Sequence, residues 1–262
     1  MNKEFEINRR TMMVGSVAAA AAHALPASAE AQRGAKVAAR NVVLVHGLFA
    51  DGSCWSDVIG ELQATGLNVV SVQNPLTTLD ESADAVRRVL ARMDGPTVLA
   101  GHSFAGTIVS EVGSAANVSA LVFIAARAPD AGEDYAALGK KFPMPPATAG
   151  IIFDGDEGRL SENAFLHDFA ADVPYARARI LYATQEPFRK ALTQAKTTNA
   201  AWRLKPSYYA VSTADRTINP DLQRFMAHRM GAHVISLGAS HLSLISHSTE
   251  VAGLIELAVR GG

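Results

Sequence analysis

Short apolar runs and longer amphipathic stretches alternate along most of the chain. Asn41-Val42-Val43-Leu44-Val45, Asn68-Val69-Val70-Ser71-Val72 and Thr97-Val98-Leu99-Ala100 have the length and β-branching of buried strands. Ala120–Ala125, Ser207–Ser212 and His233–Leu237 read the same way. Between them the apolar period changes from two to about 3.6. Ser53–Ala64 carries Trp55, Val58, Ile59 and Leu62 at helical spacing, and Gly66 stops it. Asp80 is expected to cap a helix running through Ala83, Val86, Val89, Leu90 and Met93, broken at Gly95-Pro96. Thr107–Val112 opens another helix. Pro220–Met230 is a third, with Leu222, Phe225 and Met226 inward, and Leu244–Val259 closes the chain as one helix. Strand and helix in strict alternation predict an α/β fold: a mostly parallel, doubly wound sheet with helices on both faces.

From about Ala128 to Lys205 the alternation lapses. Prolines fall at 129, 143, 145, 146, 174 and 187, helical spacing comes in patches such as Phe165, Leu166 and Phe169, and no convincing strand stands out. An insert after a strand end lies over the carboxyl edge of such a sheet, where ligands bind. Residues 128–205 are therefore expected to form a cap within a single domain spanning 41–262.

Balanced charge (24 Lys+Arg against 25 Asp+Glu) gives no reason to expect nucleic acid or an anionic membrane as partner. With one cysteine, no internal disulfide is possible. Cys54 is expected to fill an apolar gap beside Trp55. At the N-terminus, Arg9-Arg10 precedes an apolar, alanine-rich run that is too short for a stable membrane span, and Ala27-Ser28-Ala29 follows as a small-x-small cleavage site. Residues 1–29 thus resemble a bacterial twin-arginine export signal, with 30–40 a flexible lead-in and a periplasmic or secreted mature protein.

The chemistry centres on Gly101-His102-Ser103-Phe104-Ala105-Gly106. A strand that turns abruptly into a helix strains the residue at the turn and exposes its side chain above the sheet edge. Small neighbours let strand and helix approach. Ser103 occupies that turn, although Ala105 departs from the usual G-x-S-x-G pattern. Ser103, Asp215 and His241 each follow a predicted strand and occur in that order. A serine hydroxyl becomes a nucleophile when an imidazole takes its proton, and the imidazole needs a carboxylate behind it. Asp130, which also follows a strand, is the second choice for the acid. No metal cluster, phosphate loop or dinucleotide fingerprint appears, so no cofactor is expected.

The elbow, the Ser-Asp-His order and Val45-His46-Gly47-Leu48-Phe49-Ala50-Asp51-Gly52-Ser53-Cys54-Trp55 resemble the α/β-hydrolase superfamily. Within it they resemble the branch of plant methyl-ester esterases, hydroxynitrile lyases and bacterial carboxylesterases, over nearly all of Asn41–Val259. The resemblance implies an oxyanion site from the backbone N–H groups of Leu48 and Phe104, with Phe49 in reserve. Lyases of that branch carry threonine and lysine where this chain has Gly47 and Leu242, which favours ester hydrolysis. Phe142, Pro143, Met144, Pro145, Pro146, Ile151, Ile152 and Phe153 form an apolar cluster in the cap, and Phe49, Met144 and Phe153 are expected at the substrate. An apolar pocket with no charged partner would select small to medium neutral carboxylic esters. The alternatives on this scaffold are a lyase or perhydrolase-type activity, or a small-molecule binding protein without catalysis.

Overall fold

A computed structural model describes residues 38–261. The expected export signal and most of the lead-in lie outside the described residues. The first half runs β1 (Asn41–Val45), α1 (Ser56–Ala64), β2 (Asn68–Val72), α2 (Leu79–Leu90), β3 (Thr97–His102), α3 (Ala105–Val112) and β4 (Val118–Ile124). An insert follows: α4 (Tyr135–Gly139), β5 (Ile151–Asp154), β6 (Glu157–Leu160), α5 (Glu162–Ala164) continuing into a π-helical turn at Phe165–Phe169, α6 (Tyr175–Ala183) and β7 (Phe188–Arg189). The sheet then resumes with β8 (Ser207–Ser212), α7 (Pro220–Arg229), β9 (His233–Leu237), α8 (Ser243–Ser246) and α9 (Ser248–Arg260).

The six long strands pair in parallel in the order β2-β1-β3-β4-β8-β9. The chain steps outward from β1 to β2, then back across β1 to β3. Right-handed crossovers in opposite directions put α1 and α2 on opposite faces. Accordingly α1 packs with α9, and α2 with α3. The central strands β1 and β3 are buried along their whole length, as their unbroken apolar character requires. The reversal of direction between β1 and β3 leaves a crevice at their carboxyl ends. Leu48 and Ser103 follow those two ends.

Several expectations shift. Thr78, rather than Asp80, caps α2, its hydroxyl accepting the Glu81 N–H at 3.2 Å. β4 starts at Val118, earlier than the apolar run alone indicated. The closing helix is two helices, broken at His247, whose backbone (φ −134°, ψ 44°) is not helical. On α7 the buried stripe is Leu222, Gln223, Met226 and Ala227. Phe225 lies off that stripe and is exposed.

The insert contains strands that periodicity did not reveal. β5 and β6 form an antiparallel hairpin joined at Gly155, in left-handed backbone with φ +58°, and β7 pairs with β6. Asp154-Gly155 is a strong hairpin turn signal, but strands of two to four residues are too short to establish alternation. The buried face of the insert is built from Leu160, Phe165, Phe169, Phe188 and Leu192.

Candidate active site

Four non-glycine residues among those described have left-handed backbone, and three of them follow the carboxyl ends of β1, β3 and β4: Phe49 (φ 66°), Ser103 (φ 57°) and Ala125 (φ 43°). Such backbone is costly for side chains with a Cβ and tends to gather at functional sites. At Ser103 it is the turn from β3 into α3. Close approaches hold that turn. A Cβ on Gly101 would lie 2.7 Å from Val109 Cγ2 and 3.0 Å from the Ala105 carbonyl. A Cβ on Gly106 would overlap the carbonyl oxygen of Arg127. The glycine demanded on the helix side is therefore Gly106, which is why Ala105 is tolerated one position earlier. The Ser103 carbonyl accepts N–H groups from Gly106 (3.1 Å) and Arg127 (2.9 Å), tying the elbow to the segment after β4.

Ser103, His241 and Asp215 come together at the carboxyl ends of β3, β9 and β8. His241 Nε2 lies 2.7 Å from Ser103 Oγ, and His241 Nδ1 lies 2.6 Å from Asp215 Oδ2. A carboxylate can only accept, so Nδ1 carries the proton and Nε2 is left to accept from the serine hydroxyl. Asp215 Oδ1 accepts the N–H groups of Thr217 (2.7 Å) and Ile218 (3.0 Å). Its Oδ2 also receives Gln223 Nε2 at 2.6 Å. Gln223 is fully buried on α7, and its Oε1 accepts the Ser212 N–H at 3.0 Å. The sequence reading missed this residue. Its signal was a polar side chain on the apolar stripe of α7.

The loop carrying His241 is held from three sides. His102 Nε2 donates to the His241 carbonyl at 3.0 Å. The Phe169 ring stands 5.2 Å from the imidazole. Asp172, from the insert, accepts the Ser240 N–H (2.9 Å), the Ser240 hydroxyl and the Ser246 hydroxyl (2.8 Å). Burial and the neighbouring His241 hold the His102 pKa well below the ordinary histidine value. His46 is also lowered by burial, and is kept neutral as a donor from Nδ1 to Gly47 O and an acceptor at Nε2 from Asn74 N–H.

Leu48 and Phe104 both line the cavity beside Ser103. Among the described residues neither backbone N–H has an acceptor. Gly47 packs against the elbow: a Cβ there would lie 2.7 Å from Ser103 Cβ and 3.2 Å from Ser103 Oγ. Asp130 stands apart from the imidazole, bound to Arg203, which lowers its pKa. Cys54 is buried and its thiol pKa is pushed up by desolvation, in keeping with a packing role.

The cavity measures about 510 Å³. Phe49 and Met144 line it, and Phe142, Pro143 and Ile151 add to its apolar wall. Phe153 does not reach it. That ring packs edge-on against Phe188 at 5.8 Å on the outer side of the insert. The expected absence of charge also fails, because Arg127 and Lys140 line the cavity. Among the described residues no cluster of three or more His, Cys, Asp or Glu side chains is placed to hold a metal ion, and no helix is long and apolar enough to cross a membrane.

The alpha/beta hydrolase family profile matches residues 42–254, and the chain belongs to that family. Among solved structures it is similar to polyneuridine aldehyde esterase, with a TM-score of 0.73 at 18% identity, covering 84% of this chain and 99% of that one. An extracellular alpha/beta-hydrolase from a Paenibacillus species aligns with a TM-score of 0.68 at 20% identity over 84% of this chain and 99% of the other. A methylesterase from Arabidopsis, MES16, gives 0.68 at 16% identity over 86% and 100%. No curated protein sequence matches the chain significantly. At these identities the structural likeness speaks to the fold, and the family membership supports a hydrolase.

Proposed function

We propose that the protein is a cofactor-independent serine hydrolase of small to medium carboxylic esters, acting through an acyl-enzyme on Ser103. The observation that carries this reading is the continuous hydrogen-bond line from Ser103 Oγ through His241 to Asp215, at 2.7 and 2.6 Å. His241 Nε2 takes the hydroxyl proton as Ser103 Oγ bonds to the ester carbonyl carbon. The resulting oxyanion is received by the Leu48 and Phe104 N–H groups, which have no other acceptor among the described residues. Collapse breaks the bond to the alkoxy oxygen, and His241 returns the proton to the departing alcohol. Water then attacks the acyl-serine by the same route. Asp215 holds the ring and stabilises its charged form.

The cavity volume fits a small to medium ester, and its apolar wall favours each buried methylene by about 0.8 kcal/mol. A lyase finds little support: the backbone leaves no room for a side chain at Gly47, and Leu242 is buried. The Arg9-Arg10 and Ala27-Ser28-Ala29 signature further supports export by the twin-arginine route, with a periplasmic or secreted mature protein. The test of catalysis is Ser103→Ala. Hydrolysis of p-nitrophenyl butyrate should fall by roughly 10⁶-fold and fluorophosphonate labelling should vanish. Labelling that persists moves the nucleophile elsewhere.

A further inference from the structure

Arg127 is an unspent charge beside the proposed nucleophile. Its guanidinium lies between two rings, with Cζ 4.5 Å from the Tyr135 centroid and 5.3 Å from that of Phe104. No hydrogen bond or ion pair reaches the guanidinium from any described residue. The buried carboxylates Glu111 and Asp168 and the part-buried Glu133 are engaged elsewhere, with Thr198, Arg216 and Arg229 respectively. Burial lowers the arginine pKa and no carboxylate offsets it, yet the group stays charged at neutral pH. The residue is only part-buried, so its guanidinium is open to the cavity rather than sealed in the core. Its donors are offered to the cavity, which Arg127 lines together with Lys140 and no acidic residue. Its position is close to the chemistry, since its backbone N–H binds the Ser103 carbonyl at 2.9 Å and Phe104 supplies both a stacking ring and a proposed oxyanion donor.

We infer that Arg127 recognises a free carboxylate on the substrate, so that the preferred esters are those carrying a second, ionised carboxyl group, such as half-esters of dicarboxylic acids. A guanidinium offers a planar fork of donors that matches a carboxylate in two parallel hydrogen bonds. The flanking rings of Phe104 and Tyr135 hold that fork in plane, and Lys140 adds positive potential on the same wall. This replaces the expectation of strictly neutral substrates. It builds on the serine-hydrolase reading for catalysis, while the binding of the anion can be measured without it.

The experiment compares monomethyl glutarate with methyl 5-methylhexanoate, in which an isopropyl group replaces the carboxylate. The parent enzyme should have the larger kcat/KM for the half-ester. In Arg127→Met, which keeps an unbranched stem and removes the fork, the ratio of the two specificity constants should fall about tenfold or more, chiefly through KM for the half-ester. Arg127→Lys should restore part of the ratio. In parallel, calorimetric titration of Ser103→Ala with 4-phenylbutyrate and 4-phenylbutyramide should show tighter binding of the acid, lost when Arg127→Met is added. Melting curves confirm that each variant is folded. A ratio unchanged by Arg127→Met, or equal binding of acid and amide, overturns the assignment. Ester turnover that survives in Ser103→Ala would instead refute the serine mechanism and leave the binding result standing.

Discussion

Gln223 donates its side-chain amide to Asp215 Oδ2, the same oxygen that receives His241 Nδ1, and both contacts are 2.6 Å long. The carboxylate is thus fixed by a helix residue as well as by its own turn. Gln223→Leu removes this donor and leaves the Ser212 N–H without its acceptor. A lost hydrogen bond to a charged group is worth about 1.5 kcal/mol, so kcat should fall roughly tenfold with little change in KM. Steady-state kinetics with a parallel melting curve checks this. An unchanged kcat in a folded Gln223→Leu would show that the turn alone orients Asp215.

Gly47 leaves no space for a side chain against Ser103. Gly47→Ala should push the loop off the elbow and displace the Leu48 N–H. Losing one oxyanion donor costs about 10²–10³ in kcat, and overpacking should add about 1–3 kcal/mol of instability. Gly47→Thr should be worse on both counts. Activity near the parent level in Gly47→Ala would remove Leu48 from the oxyanion site.

Asp172 ties the insert to the loop that carries His241. Asp172→Ala frees the Ser240 N–H and two hydroxyls, and should lower the melting temperature by several degrees, on the order of 1–3 kcal/mol. Because the loop holds the base, kcat should fall as well. Hydrogen exchange of residues 238–242 should quicken in Asp172→Ala, and protection equal to that of the parent would rule out the clamp.

His102 and His46 are both held neutral by burial, with folded pKa values below the ordinary one near 6.5. The unfolded chain binds protons there that the folded chain refuses. Stability is therefore complete above about pH 6.5 and declines as pH drops toward the folded values, with each group contributing up to about 1.4 kcal/mol per pH unit. His102→Gln, whose amide can still donate to the His241 carbonyl, should flatten the slope of unfolding free energy between about pH 6.5 and 5. Denaturant titrations at several pH values measure it. An unaltered slope would place the acid sensitivity elsewhere.

The sheet and the three central residues were legible because each rests on a strong local pattern. Buried parallel strands are unbroken apolar runs, and Ser103, Asp215 and His241 each sit directly after one. Other features were less legible because they depend on long-range partners. Gln223 looks like an ordinary helix residue until α7 docks against the turn after β8. The β5–β6 hairpin is too short for periodicity, although Asp154-Gly155 announced its turn. Phe153 was read as a substrate residue from apolarity alone, but strand pairing sends its ring to the outer side of the insert. Arg127 was visible as a charge at the end of an apolar strand. That no described carboxylate or hydrogen-bond acceptor reaches its guanidinium emerges only when the surrounding elements are in place.

The turn at Ser103 is tied to position 127 through main-chain atoms, while the Arg127 side chain meets the elbow by stacking on the Phe104 ring. The amide binds the Ser103 carbonyl, and the carbonyl oxygen is the surface against which Gly106 lies. Neither contact depends on which side chain is present. The residue is locked in place by its backbone and faces the cavity with its side chain. Descendants of this chain can therefore exchange Arg127 and drift to new substrates one mutation at a time, without first having to rebuild the elbow that positions Ser103.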